Sequence, residues 1–204
     1  MTSTSASVNT PALKDRVIKI ITNPQGEWPV IEAERTDTAK LYREYIMILA
    51  AIPAIASFIA SVVFSFGLFR VGLGVGLATL ILSYALTLAS VYVCAIVIDK
   101  LAPTFDSTPN MIQALKLVAY AMTPAWVAGA ANILPIIGWL VALAGGLYSI
   151  YVFYLGIPVM MKTPSAKVIP YMAVSALIMI VVFFVAMMIT GAVVGGLFVA
   201  GAAF

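Results

Sequence analysis

From residue 45 onward the chain is a series of long apolar runs separated by short polar breaks. Residues 45–66, 77–98, 114–134, 136–161 and 171–190 each supply about the 20 helical residues that a bilayer core roughly 30 Å thick requires. The last 14 residues are apolar and glycine-rich but too short for a sixth crossing. Two readings are open for them: an extension of the fifth helix, or a bend at Gly195-Gly196 and a return along the interface. Before residue 45 the pattern changes. Residues 1–10 lack periodicity and read as disordered. Thr10-Pro11 is a helix start signal, and Leu13, Val17, Ile20 and Ile21 then fall on one helical face. Lys14, Asp15, Arg16 and Lys19 are read as the opposite face. This amphipathic helix has two readings, one lying in the plane of the membrane surface and one docked on the protein's own core. Asn23-Pro24-Gln25-Gly26 reads as the turn that ends it. Glu27-Trp28-Pro29 then offers an aromatic to the headgroup layer, and Asp37 can cap a helix leading into the first span. The expectation is an all-α integral membrane bundle of five transmembrane helices with an amphipathic cytoplasmic N-terminal helix. Its segments are 1–10, 11–44 and a transmembrane domain at 45–204.

Composition agrees with this pattern. Hydrophobic residues make up 63% of the chain and charged residues 9%, against roughly 45–50% and 25% in soluble proteins. The basic groups are too few for nucleic acid and lie at the borders of the apolar runs, so no nucleic-acid partner is expected. Their distribution also orients the chain. Lys14, Arg16, Lys19, Arg35, Lys40 and Arg43 precede the first span, and Lys100, Lys116, Lys162 and Lys167 flank the loops on the same side. Only Arg70 falls on the other side, which predicts a cytoplasmic N-terminus and an extracytoplasmic C-terminus.

Candidate chemistry is sparse. There is no histidine and one cysteine, Cys94, so neither a Ser–His pair nor a Cys/His metal site can form; no cofactor is expected. Ionisable groups in the spans are confined to their borders, where Asp99 and Lys116 are expected to form a salt bridge, with a gate or ligand contact as the other reading. Ser57, Ser61 and Ser65 recur at helical spacing on the first span, as do Ser83, Thr87, Ser90 and Cys94 on the second; close helix packing is one reading and a polar groove the other. Gly72-Leu73-Gly74-Val75-Gly76 reads as a flexible turn rather than a phosphate loop. Pro53, Thr123-Pro124 and Gly156-Ile157-Pro158 interrupt the first, third and fourth spans, and each proline frees a backbone carbonyl at membrane depth. Tyr148, Tyr151 and Tyr154 read as packing or belt residues.

The run Ala114-Leu115-Lys116-Leu117-Val118-Ala119-Tyr120-Ala121-Met122-Thr123-Pro124-Ala125-Trp126 resembles the third span of bacterial Yip-domain proteins. So do Leu134-Pro135-Ile136-Ile137-Gly138-Trp139, Tyr148-Ser149, Tyr154-Leu155-Gly156-Ile157-Pro158, Asn23-Pro24, Glu27-Trp28-Pro29 and Leu49-Ala50-Ala51-Ile52-Pro53. The resemblance implies five spans, a place in the bacterial inner membrane, and action through membrane lipids, other membrane proteins or a second copy. Eukaryotic members bind Rab-type GTPases and carry an acidic-Leu-Tyr-Gly-Pro motif. Here Leu41-Tyr42 is followed by Arg43-Glu44, a departure from the motif that goes with GTPase binding. The leading expectation is a non-enzymatic adaptor or organiser. The alternative is a transporter, channel or lipid scramblase using a groove between proline-kinked helices. Candidate groove or partner residues are Glu27, Trp28, Pro29, Tyr45, Pro53, Asp99, Lys116, Tyr120, Thr123, Pro124, Asn132, Pro135, Gly138, Tyr154, Gly156 and Pro158.

Overall fold

The computed structural model describes residues 13–63, 73–134 and 137–202, with side chains to residue 196. The disorder expected at 1–10, the start signal at Thr10-Pro11, and the roles expected of Ser65, Arg70 and Pro135 lie outside them. Among the described residues the fold is all helical. Five helical stretches are long and apolar enough to cross a membrane: Thr38–Val63, Leu73–Phe105, Met111–Ile133, Gly138–Met160 and Ser165–Gly196.

Two short helices precede them. Helix α1 (Leu13–Thr22) buries Arg16 and Ile20, while Leu13, Val17 and Ile21 also pack on the core. Arg16 therefore lies on the inward face, three residues from Leu13 and four from Ile20, and not with the outward charges as the sequence reading had it. Asn23 ends α1 and starts α2 (Pro24–Ala33): its side chain accepts from the Gly26 N–H at 3.2 Å, and Pro24 occupies the first helical position, where its missing N–H costs nothing. The expected turn at residues 23–26 is thus a helix start.

Both helices pack against the bundle, as the second reading has it. The Tyr148 hydroxyl donates to the Ile21 carbonyl at 2.7 Å, and the Trp28 indole N–H donates to the Val152 carbonyl at 3.1 Å. Tyr148 lies twelve residues before Met160, so at 1.5 Å per residue the end of α1 reaches about 18 Å along the fourth span. Trp28 is fully buried, which corrects its expected place among headgroups.

The first span, α3 (Thr38–Val63), is capped by Asp37, whose carboxylate accepts from the Lys40 N–H at 2.8 Å. It opens into a π-helical turn at Tyr42–Ile46. Pro53 sits inside its continuous α-helical part (Met47–Val63). The second span, α4 (Leu73–Leu101), begins within the glycine-rich stretch read as a turn; residues 73–76 are helical. Tyrosines staple these two spans, Tyr42 donating to the Leu88 carbonyl and Tyr84 to that of Met47, each at 2.8 Å.

The third span is broken where expected. Helix α5 (Met111–Ala121) stops, and α6 (Thr123–Ala128) restarts with Pro124 in its first turn before a 3-10 stretch at Gly129–Ile133. The Ala125 N–H is taken by the Ser149 hydroxyl at 3.1 Å, so the break is satisfied by the fourth span. That span, α7 (Gly138–Met160), runs unbroken through Gly156 and Pro158, against the expected interruption. The fifth, α8 (Ser165–Ala202), continues straight through Gly195-Gly196.

Candidate functional site

The densest polar arrangement lies where α1 and α2 meet α5. The Arg16 guanidinium bridges two carboxylates, Glu27 and Glu34, and its cationic carbon lies 5.8 Å from the centre of the Tyr120 ring. Arg16 is 2% exposed. A charge this buried is tolerated only when fully paired, and a fork-shaped guanidinium can satisfy two carboxylates at once. Glu27 and Glu34 are seven residues apart, two helical turns, so they present to the same partner.

Lys116 does not meet Asp99, as the sequence reading expected. Its ammonium donates to the carbonyls of Ile31 at 2.8 Å and Glu34 at 2.6 Å, with Glu32 more distant at 3.4 Å. These are the unpaired carbonyls at the C-terminal end of α2, where helix dipole and geometry both favour a cation. The α2 terminus stands closer to Lys116 than the second span does, and Asp99 is left half-buried at the end of α4.

Below Arg16, the Tyr45 and Tyr120 rings pack at 4.4 Å, and the Tyr45 hydroxyl shares a 2.7 Å hydrogen bond with Thr123. Thr123 also reaches back to the Ala119 carbonyl at 3.4 Å, which ties the break in the third span to the first span. Trp28 lies across the fourth span at Gly156: a Cβ there would stand 2.6 Å from the indole and from Leu117. Gly156 is therefore the gap that admits Trp28, not a hinge.

Glu27, Trp28, Tyr45, Lys116, Tyr120, Thr123, Pro124 and Gly156 thus converge on one region around Arg16. The other candidates lie elsewhere. Pro29 and Pro158 are exposed, and Tyr154 is 39% exposed on the outside of the fourth span. Pro53 packs against Gly129, and Gly138 opens the fourth span against the Ala131 carbonyl. Asn132 donates to Ser57 at 3.2 Å. Sequence reasoning missed Arg16 and Glu34. The signal was there for Arg16, a charge set inside the apolar stripe of α1; nothing local marked Glu34.

Ser57, Ser61, Thr79, Ser83, Thr87 and Thr190 line two adjoining cavities of about 390 and 230 Å³ between the first, second and fifth spans. Of the stripe read on the second span, Ser90 and Cys94 are instead buried. An apolar groove of about 520 Å³ lies between the third, fourth and fifth spans, with Ala121, Ala125, Ala142, Gly146 and Ser149 among its lining. Among the described residues no group of histidine, cysteine or carboxylate side chains could hold a metal ion.

Five membrane-length helices, with an N-terminal helical pair packed against the third and fourth of them, define a polytopic membrane protein with a paired charge cluster at that junction. Residues 18–188 match the Yip1 domain family model, and the chain belongs to that family. It is similar to the inner membrane protein YohC of Escherichia coli K12, with 31% identity over 147 residues, covering 68% of this chain and 75% of the relative. The protein of the same name from Escherichia coli O6:H1 matches to the same extent. No solved structure matches.

Proposed function

We propose that this protein is a non-enzymatic organiser of the inner membrane that holds a transmembrane helix of another membrane protein against its bundle. The observation that carries this reading is the groove between the third, fourth and fifth spans. Ala142, Gly146 and Ser149 follow helical spacing along it, and a Cβ placed on Gly146 would meet nothing within 4 Å. Its neighbour Gly145 differs: a Cβ there would strike Ala128 at 2.3 Å. One glycine serves internal packing and the other faces open space, which is how small residues serve a close helix–helix approach in lipid. The fifth span supplies the third wall of the same groove through Ala176, Met179, Ile180 and Phe183. Gly146→Leu fills the groove without touching the core. The expected result is that a membrane protein co-purified with the native chain is lost from the Gly146→Leu variant at equal expression. Retention of the same partners by the variant counts against this surface.

A second reading rests on the hydroxyl-lined cavities. Their walls are mostly apolar, and the Thr79, Ser83 and Thr87 hydroxyls donate to carbonyls of their own helix, which leaves their oxygens as acceptors for a small polar solute or a headgroup in the furrow. The tyrosine staples at Leu88 and Met47 lie alongside it and hold the first two spans together. Liposomes containing the purified chain and showing no flux of ions, solutes or lipid would dismiss that reading.

A further inference from the structure

We propose that the chamber beside Arg16 is a binding site for a phosphate-bearing group, and that its source is the headgroup of an anionic phospholipid. This stands apart from the helix-docking reading, because it uses the opposite side of the third span.

The chamber has a volume of about 460 Å³ and lies between α1, the residues leading into the first span, and Tyr120. Its acidic and basic groups are not equally available. Glu34 is already held by the buried Arg16, as is Glu27 behind it. At the mouth, Arg35 is exposed, and Lys40 meets Glu44 only at 4.0 Å, with their side chains 42% and 61% exposed. A pair of that kind contributes little and is readily exchanged. Glu34 is thus engaged, and Glu44, which also lines the chamber, is the loose partner that an anion meeting Arg35 and Lys40 would displace.

Tyr120 supplies an independent pointer. The residue is 7% exposed, its side chain lines the chamber, and its hydroxyl has no hydrogen-bond partner among the described residues. Tyr45 beneath it differs, since its hydroxyl is engaged by Thr123. The Tyr120 oxygen is not sealed inside the protein, so its O–H opens on the chamber and can meet a ligand acceptor there. Arginine, lysine and a phenol O–H converging on one space match the oxygens of a phosphate, which accept several charged hydrogen bonds at once. Leu13 and Leu41 give the chamber an apolar wall, and Tyr45 marks the entry into the first apolar run. A headgroup with its chains beside the bundle meets both conditions.

The test is native mass spectrometry of the full chain in detergent, titrated with phosphatidylglycerol, phosphatidylcholine or glycerol phosphate. One saturable phosphatidylglycerol should bind in preference to phosphatidylcholine. Tyr120→Phe should weaken it about fivefold, the loss of one hydrogen bond. Arg35→Gln with Lys40→Gln should weaken it by more than about tenfold, whereas Arg43→Gln, which is exposed and outside the chamber, should not. Displacement by glycerol phosphate only at large excess assigns the lipid; equal potency keeps the phosphate site but assigns a soluble phosphoester. Equal binding of both lipids, or no change in the Tyr120 and Arg35/Lys40 variants, overturns the proposal.

Discussion

Arg16 is the residue on which the interior charge depends. Replacing it by alanine leaves Glu27 and Glu34 buried without their cation, and a broken buried pair of this kind costs about 3–5 kcal/mol. Denaturant unfolding in detergent should therefore show Arg16→Ala as strongly destabilised. Lys14→Ala, two residues earlier on the exposed face of the same helix, should change stability by less than about 0.5 kcal/mol. Equal effects would mean that the cluster is not closed as described. Individual residues were only partly legible in the sequence. Lys116 stands out as an ionisable group at a span border and Thr123 as part of a proline break, while Glu27 and Tyr120 stand out within the runs that resemble the family. Their partners do not, because Lys116 bonds backbone carbonyls 82 to 85 residues away, and no side-chain type announces that.

At the scale of elements, the length of the apolar runs revealed all five membrane helices. Their long, uninterrupted hydrophobicity leaves few alternatives in lipid. The N-terminal pair was harder to read. A face of Leu13, Val17, Ile20 and Ile21 suits a lipid surface as well as a protein core, and only contacts across the chain separate the two. Proline was an uneven guide. Thr123-Pro124 does break its helix, whereas Pro53 and Pro158 are carried inside continuous ones. The seating of α2 gives a direct test. Gly156→Ala places a methyl group against Trp28 and should cost about 1–3 kcal/mol by overpacking. In a Trp28→Ala background that cost should shrink, and a thermal-unfolding double-mutant cycle measures the coupling; strict additivity would contradict the contact. Lys116→Met removes the cap on α2, so limited proteolysis should cut within residues 24–36 faster than in the native chain. Unchanged cleavage would show that the cap does not hold the segment.

The whole molecule combines a firmly built region with an open one. Around Arg16 the N-terminal helices, the broken third span and the fourth span are joined by buried polar contacts. Further along, the fifth span is tied at its first turns, where the Tyr171 hydroxyl donates to the Ile98 carbonyl at 2.6 Å and the ring stacks on Phe105. Beyond that anchor its outer face is apolar and exposed, with Leu177, Ile180 and Met187 each at least 60% exposed. Charge placement predicts the orientation of this body. Even without the buried Arg16 and Lys116, the basic residues gather at one set of ends, so a C-terminal fusion to a reporter active only outside the cytoplasm should be active. The same reporter active instead at the N-terminus would reverse the topology.

The central claim is that the groove between the third, fourth and fifth spans receives a partner helix. Photo-crosslinking in native membranes from position 146 tests it most directly, with position 81 as control, since Ile81 is 64% exposed on the second span and lies outside the groove. The account predicts a discrete protein adduct from position 146 and diffuse lipid adducts from position 81. Lipid adducts alone from both positions would contradict it.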